Sequence, residues 1–464
     1  MTLTDSMNQK QKNDLHIIAS IALISAISCA LRLSFLGYIA IFAVLLFVIL
    51  KNPSDFFLLF LAISPFTAAF TIGGKGIFGF LIIASVLKMF LYKKYYSKTV
   101  FLAGIVLIAL ELANDFANIN IGIFVSMFAS VLLFFMYTAY LDYNRLNVNE
   151  MLITLAITCF LEMLAVYIAN GGNIAVYEND VNSMIRLGAT EWQAAGAMEI
   201  PVYALMGICS LVVILMKNKT SLLIKILSMA AIVFELYLSV LSLSRVFYLG
   251  LFAAVFFLLF FLFGEKKKGR AMVTISVLAM AVIAFWSWKG DYILLAFQRM
   301  MNRQMSDFSS GRLDIWKSCV EYLSSHPLRL LIGNGMRNYT QVGASLNADF
   351  SMSAHNLILD AVMSFGLIGC ISLISIFAFS IKQLKRIYPV KALDMNKLPL
   401  LVYLVMKMTG GMFYYFQTFT FLMVLIYISY SRNGAVKPIP ICADERIPRG
   451  GRVAINRSAI NARQ

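Results

Sequence analysis

Residues Lys225 to Arg270 read KILSMAAIVFELYLSVLSLSRVFYLGLFAAVFFLLFFLFGEKKKGR. Two apolar runs, 224–243 and 246–263, are separated by little more than Ser244 and Arg245 and are followed by Lys266, Lys267, Lys268 and Arg270. A helix needs about 20 apolar residues to cross a bilayer, with about 17 sufficient. The stretch therefore predicts two antiparallel spanning helices. Short connectors rich in Lys and Arg stay on the cytoplasmic side, so the lysine cluster lies inside and Arg245 sits at an outward tip with no acid close to it in sequence.

The pattern repeats along the chain. Of 464 residues, 60% are hydrophobic and 13% charged, against about 45–50% apolar in soluble domains, which excludes a soluble globular protein. The formal net charge of +16 does not indicate nucleic acid, because the basic residues are spread among connectors and form no compact basic domain. Apolar runs fall near 16–32, 36–50, 55–71, 76–91, 99–113, 121–140, 150–168, 197–216, 224–243, 246–263, 271–288, 355–380, 397–409 and 412–430. The fold class is an all-α polytopic integral membrane protein of about 12–14 helices; the runs at 36–50, 55–71 and 397–409 are short. Every second connector is basic: Lys10 and Lys12; Lys93, Lys94 and Lys98; Arg145; Lys217, Lys219 and Lys225; Lys266 to Arg270; Lys382, Lys385, Arg386 and Lys391; and the tail from Arg432. This alternation predicts that both termini are cytoplasmic.

The organisation that follows is a multi-helix region over 1–288 with a smaller outer loop at 170–195, a large extracytoplasmic loop over 289–354, membrane helices over 355–430, and a basic, disordered cytoplasmic tail over 431–464. The first apolar run is expected to be an uncleaved spanning helix, since Ala26 stands where a lipoprotein signal ending at Cys29 places leucine. The six cysteines have no paired spacing and at least three lie in apolar runs, so they read as small apolar fillers. The large loop follows Trp286 and Trp288, which suit an interfacial aromatic belt. Within it Leu313, Trp316, Val320 and Leu323 recur at helical spacing, predicting an amphipathic helix over 312–324, capped near Ser310 and stopped at His326 before Pro327. Gly333, Asn334 and Gly335 predict a turn.

Chemistry concentrates in this loop and the start of the next helix. Arg299, Arg303, Arg312, Lys317, Arg329 and Arg337, with Arg245, are cations on the side where the charge rule disfavours them. Guanidinium forks grip phosphate and stay charged; the plainer reading is arginines solvated or touching lipid headgroups. His16 and His326 read as incidental. His355 precedes Asn356 at the outer start of an apolar helix, where an imidazole titrating near neutrality can act as a general base or simply open the helix. No orienting acid is legible: Asp360 is five residues on, about 140° round a helix. Glu178 and Asp180 form a weak metal candidate whose plainer reading is a solvated pair. Glu162, Glu235 and Lys407 are ionisable residues within apolar runs, which are costly in lipid unless paired or functional.

The loop reads SSGRLDIWKSCVEYLSSHPLRLLIGNGMRNYT, and after a spacer SAHNLILDAVMSFGLIG follows. Its SGR with a Trp four residues on (Gly311, Arg312, Trp316), HP, G-x-G (Gly333, Gly335), HN (His355, Asn356) and GLIG (Gly366 to Gly369), together with Ser244 and Arg245, resemble the O-antigen ligase and polymerase superfamily. The motifs cover roughly the C-terminal half of the chain. The resemblance implies a GT-C-like glycosyltransferase of the bacterial inner membrane that uses polyprenyl (undecaprenyl) diphosphate-linked glycan at the outer face, without cofactor or metal. It implies His355 as the base that deprotonates the acceptor hydroxyl and Arg245 and Arg312 as diphosphate ligands; Arg337, Asn356 and Trp316 are candidates for acceptor or loop contacts. The family usually has about twelve helices, fewer than the runs counted here.

A polymerase of O-antigen, capsule or exopolysaccharide, with a lipid-linked repeat unit as acceptor, is the first expectation. A ligase passing glycan to lipid A core, as in lipopolysaccharide assembly, is the alternative. A flippase for lipid-linked oligosaccharide is the non-enzymatic alternative; it would gather polar residues near the bilayer midplane, whereas this chain places them in an outer loop. Expected partners are the lipid-linked donor and acceptor, the bilayer, a chain-length regulator and a flippase, and no nucleic acid.

Overall fold

The structure, a computed structural model, describes residues 9–51, 53–73, 75–92, 95–115, 125, 128–129, 131–132, 147–169, 200–217, 220–242, 244–264, 290, 312–335, 354–387, 394–409, 416–431 and 446–448. Every expected apolar run carries a described helix except 271–288, which lies outside the described residues, and 121–140, most of which does.

Helices α1 (Gln9–Leu31) and α2 (Ser34–Leu50) form a hairpin that turns at Arg32 in left-handed backbone (φ 55°). Helix α3 (Phe56–Ile63) tightens into a 3-10 stretch, Ser64–Ala69, that bends at Phe66. Pro65 has no N–H to continue the α-helical ladder. A small hairpin pairs β1 (Thr71–Ile72) with β2 (Lys75–Gly76). There follow α4 (Phe78–Tyr92), α5 (Lys98–Asp115), α6 (Val148–Ala169), α7 (Ile200–Lys217), α8 (Leu222–Leu241) and α9 (Arg245–Gly264). The Ser221 hydroxyl accepts the Ile224 amide and caps α8.

The loop region supplies α10 (Arg312–Ser325) and α11 (Pro327–Ile332). Helix α12 (Leu357–Ile387) is broken at Gly366, and α13 (Leu398–Thr409) and α14 (Phe416–Tyr430) complete the bundle. Between α4 and α5, β3 (Tyr95–Ser97) pairs antiparallel with β4 (Arg446–Pro448). Part of the tail expected to be disordered is thus a strand on the basic 93–98 connector, where Tyr95, Tyr96 and Ile447 are residue types that suit a pleated ladder.

Among the described residues five helices are long and apolar enough to cross a membrane: Asn13–Leu31, Val148–Ala169, Leu222–Val240, Val246–Gly264 and Leu357–Lys385. Shorter apolar helices, such as Ser34–Leu50, Ile200–Met216 and Thr420–Tyr430, stand beside them. Leu91 (81% exposed), Phe252 (70%) and Phe42 (68%) project from the bundle. Each would forfeit about 1.5–3 kcal/mol in water relative to an apolar surround, so the perimeter is a lipid-facing one and the chain is a multi-pass membrane protein.

Inside, α6 packs on α1 and α7, α5 on α12, and α13 on α9 and α7. Edge-to-face rings fasten α14 to α3 and α7, with Phe57 on Tyr427 and Tyr203 on Phe421 each at 5.3 Å. One end of the bundle is fastened by Lys51 and Asp14 at 2.5 Å and by Lys88, which donates to the carbonyls of Val48, Ile49 and Lys51. Those carbonyls are the ones that the end of α2 leaves without intrahelical donors.

Candidate active site at the start of the broken helix

Asn356 sets the frame. Its Oδ1 accepts the amides of Ile358 (3.0 Å) and Leu359 (3.1 Å), so it caps α12, while its Nδ2 donates to the Met408 carbonyl (3.2 Å) at the end of α13. The next carbonyl on α13, that of Thr409, accepts Nη1 of Arg312. Arg312 and Asn356 therefore grip consecutive peptide groups of one helix terminus. That terminus offers the partial negative charge and unpaired carbonyls that such donors neutralise.

One turn along α10 from Arg312, Trp316 donates its Nε1 to the Ala354 carbonyl (2.8 Å). The Ala354 amide in turn donates to Oδ1 of Asp360 (2.8 Å), which is fully buried. Both polar groups of the residue before His355 are thus held by side chains. His355 itself is buried and adopts left-handed backbone at φ 52°, a conformation that is unusual for a residue other than glycine. Such geometry persists only where the surroundings fix it, and the two bonds to Ala354 together with the Asn356 cap do so.

Sequence reasoning placed His355 at the start of a continuous helix and put Asp360 on a different face. The helix begins instead at Leu357, and the chain before it folds back so that Asp360 reaches Ala354. An acid does support the histidine, through the backbone that carries it.

The G-x-G turn has an equally definite partner. Gly366 takes φ 64°, and the break in α12 leaves the carbonyls of Met363 and Ser364 without helical donors. The Asn334 amide (2.9 Å) and its Nδ2 (3.1 Å) donate to Met363, and the Gly335 amide donates to Ser364 (2.9 Å). Tyr322 orients the Asn334 side chain by donating to its Oδ1 (2.7 Å). A Cβ on Gly366 would overlap the Leu331 carbonyl, and one on Gly333, whose φ is 77°, would overlap that of Ser364.

Arg329, one of the loop cations, is engaged structurally: it donates to Asn114 Oδ1 (2.8 Å) and the Gly333 carbonyl (3.3 Å), while Asn114 Nδ2 donates to the Ile332 carbonyl (3.0 Å). The turn is thereby fastened to the end of α5. Lys317 and Glu321 form an exposed pair at 3.9 Å, of the kind that adds little stability. The Cys319 thiol is pushed up to about 12 by burial, with Asp360 adding to it, so it stays protonated and packs with Leu323, Ala354 and Met363.

Arg245 is the first residue of α9, and Gly250, about 7.5 Å further along that helix, packs closely on Met406 of α13, three residues before Thr409. Arg337, Arg299, Arg303, Glu178 and Asp180 lie outside the described residues. Among the described residues no group of three or more His, Cys, Asp and Glu side chains converges. Of the intramembrane ionisable residues, Lys407 is buried with its ammonium 5.7 Å from the Tyr403 ring. Glu162 and Glu235 are buried on α6 and α8.

The fold and site define a class: a multi-pass membrane protein in which a loop carrying α10 and α11 docks on helix termini and holds a buried histidine there. Residues 230–374 match the family model described as O-antigen ligase. The match runs from α8 to the second half of α12 and takes in Arg245, Arg312, the Gly333 turn, His355 and Gly366. That likeness of the segment is to the O-antigen polymerase and ligase superfamily. No curated protein matches the chain.

Proposed function

We propose that this protein is a glycosyltransferase that polymerises a bacterial surface polysaccharide from polyprenyl diphosphate-linked repeat units, with His355 as general base. The observation that carries the reading is the shared frame of His355, Asn356, Trp316 and Arg312 on the end of α13, inside the segment that matches the O-antigen ligase model.

The acceptor hydroxyl gives its proton to the His355 imidazole as its oxygen bonds to the anomeric carbon. The bond from that carbon to the diphosphate oxygen breaks, and its electron pair leaves with the diphosphate. Attack opposite the leaving group inverts the anomeric centre. A diphosphate needs charge neutralisation more than a proton, and the guanidinium groups of Arg312 and Arg245 supply it. The reaction draws on no metal or cofactor.

The active site faces the periplasm, and both termini are cytoplasmic. The alternation of basic connectors supports this, as does the pairing of the tail strand β4 with β3 in a basic connector. A chain-length regulator and a flippase would work beside it.

The second reading is a ligase acting on lipid A core, favoured by the description of the matching family model. Purified protein in detergent, given lipid-linked repeat units alone, separates the readings: lengthening of the lipid-linked glycan marks the polymerase. Transfer only when lipid A core is added marks the ligase. A transporter changes no chain length where no two compartments exist.

A further inference from the structure

At the end of α12 away from His355, about 30 Å beyond the break at Gly366, Ala378, Ile381, Lys382 and Lys385 line an open groove of about 530 Å³. Their spacing puts them on one helix face, which passes from apolar to cationic towards the end of the helix. Beside it, Tyr430 at the end of α14 has the ammonium groups of both Lys385 (5.4 Å) and Lys397 (5.5 Å) over its ring. Ser429, whose hydroxyl donates to the Leu425 carbonyl at 2.6 Å, lies 3.5 Å from the Asn396 carbonyl and sets the turn that carries Lys397 beside α14.

Two ammonium groups held against one ring repel each other. Burial lowers the Lys397 ammonium below the ordinary lysine range; Asp394 opposes this, and Lys385 adds to it. Asp394 also caps the turn, its Oδ1 accepting the Asn396 amide at 2.9 Å. Among the described residues neither Lys382 nor Lys385 has a carboxylate within ion-pair distance.

We infer that this groove is a binding site for one anionic glycerophospholipid of the leaflet at that end of the bundle. Its headgroup phosphate sits among Lys382, Lys385 and Lys397, and an acyl chain lies along Ala378 and Ile381. Charge complementarity selects the occupant: three lysines stand above an apolar strip, at the level where a helix end meets lipid headgroups, and basic pockets between membrane helices take anionic headgroups. Tyr430 has the amphipathic ring that suits this interface. The site is remote from the transfer chemistry and does not depend on it.

The test is native mass spectrometry of the full chain in detergent, titrated with phosphatidylglycerol or phosphatidylcholine. Wild type should retain phosphatidylglycerol in preference. Lys385→Gln and Lys397→Gln should each weaken it about fivefold, while Lys385→Arg and Lys317→Gln, the latter in α10, should leave it unchanged. The substituted groups are at least partly exposed, and an unchanged gel-filtration profile confirms folding. Equal retention of the two lipids, or phosphatidylglycerol binding unaffected by the two Gln variants, overturns the site. Displacement of phosphatidylglycerol by inorganic phosphate at matched concentration overturns the lipid assignment in favour of a soluble anion.

Discussion

At the scale of the residue, the catalytic reading depends on how rigidly His355 is presented. Asp360→Ala removes the acceptor of the Ala354 amide and leaves a buried donor unpaired, at about 1–3 kcal/mol. Displacing the imidazole by about 1 Å costs up to about 10²-fold in rate. The expected result is a fall in kcat with little change in KM for the lipid-linked donor, restored largely by Asp360→Asn, which keeps the accepting oxygen. Initial rates against donor concentration check this, and an unchanged kcat would reduce Asp360 to a packing role. Arg312→Lys keeps the charge and loses the fork; losing one charge-assisted bond predicts a drop of about 10–100-fold in kcat/KM. His355 and Arg312 can be proposed from the sequence because their chemistry is unusual where they lie. Asp360 was not, because the left-handed backbone at His355 invalidates the helical projection that sets it aside. Nor was the structural engagement of Arg329, which depends on Asn114, more than 200 positions away in sequence.

Elements carry the next level of the argument. The run 355–380 reads as a single span, yet α12 is two helical pieces, and its break at Gly366 is what the G-x-G turn of the loop docks on. Glycine is common in membrane helices, so nothing in Gly366 alone announces the break; only the loop partner, some 30 residues earlier in the chain, gives it meaning. Gly366→Ala places a Cβ against the Leu331 carbonyl at a φ that costs about 1–3 kcal/mol. It should lower the thermal midpoint in detergent and loosen the loop. Protease cleavage between α10 and α12 should then quicken, and wild-type cleavage kinetics would argue that the loop does not rely on this contact. The amphipathic periodicity of α10 was visible beforehand, whereas α11 was read as only a stop and a turn.

For the whole molecule, the apolar runs and the alternating basic connectors outline the bundle without a structure, because lipid makes every span satisfy its own backbone. Which helices touch could not be read, since lipid-facing and buried positions are equally apolar. The proposed orientation has a direct check in a cysteine-free background. Lys317→Cys, in the loop, should react with a membrane-impermeant maleimide in cells whose outer membrane has been opened. Lys385→Cys, at the opposite end of the bundle, should react only after the inner membrane is breached. Reversed labelling would invert the topology and move the site to the cytoplasm.

The measurement that bears most directly on the account is an electrophoretic display of surface polysaccharide from a deletion strain complemented with wild type, His355→Ala or Arg245→Ala, with membrane levels of each protein matched. Loss of a general base costs about 10²–10⁴ in rate. The account predicts that wild type restores the full ladder of chain lengths while both variants collapse it to a single repeat unit. A normal ladder from both variants would contradict the site, and wild-type protein that lengthens nothing would contradict the polymerase.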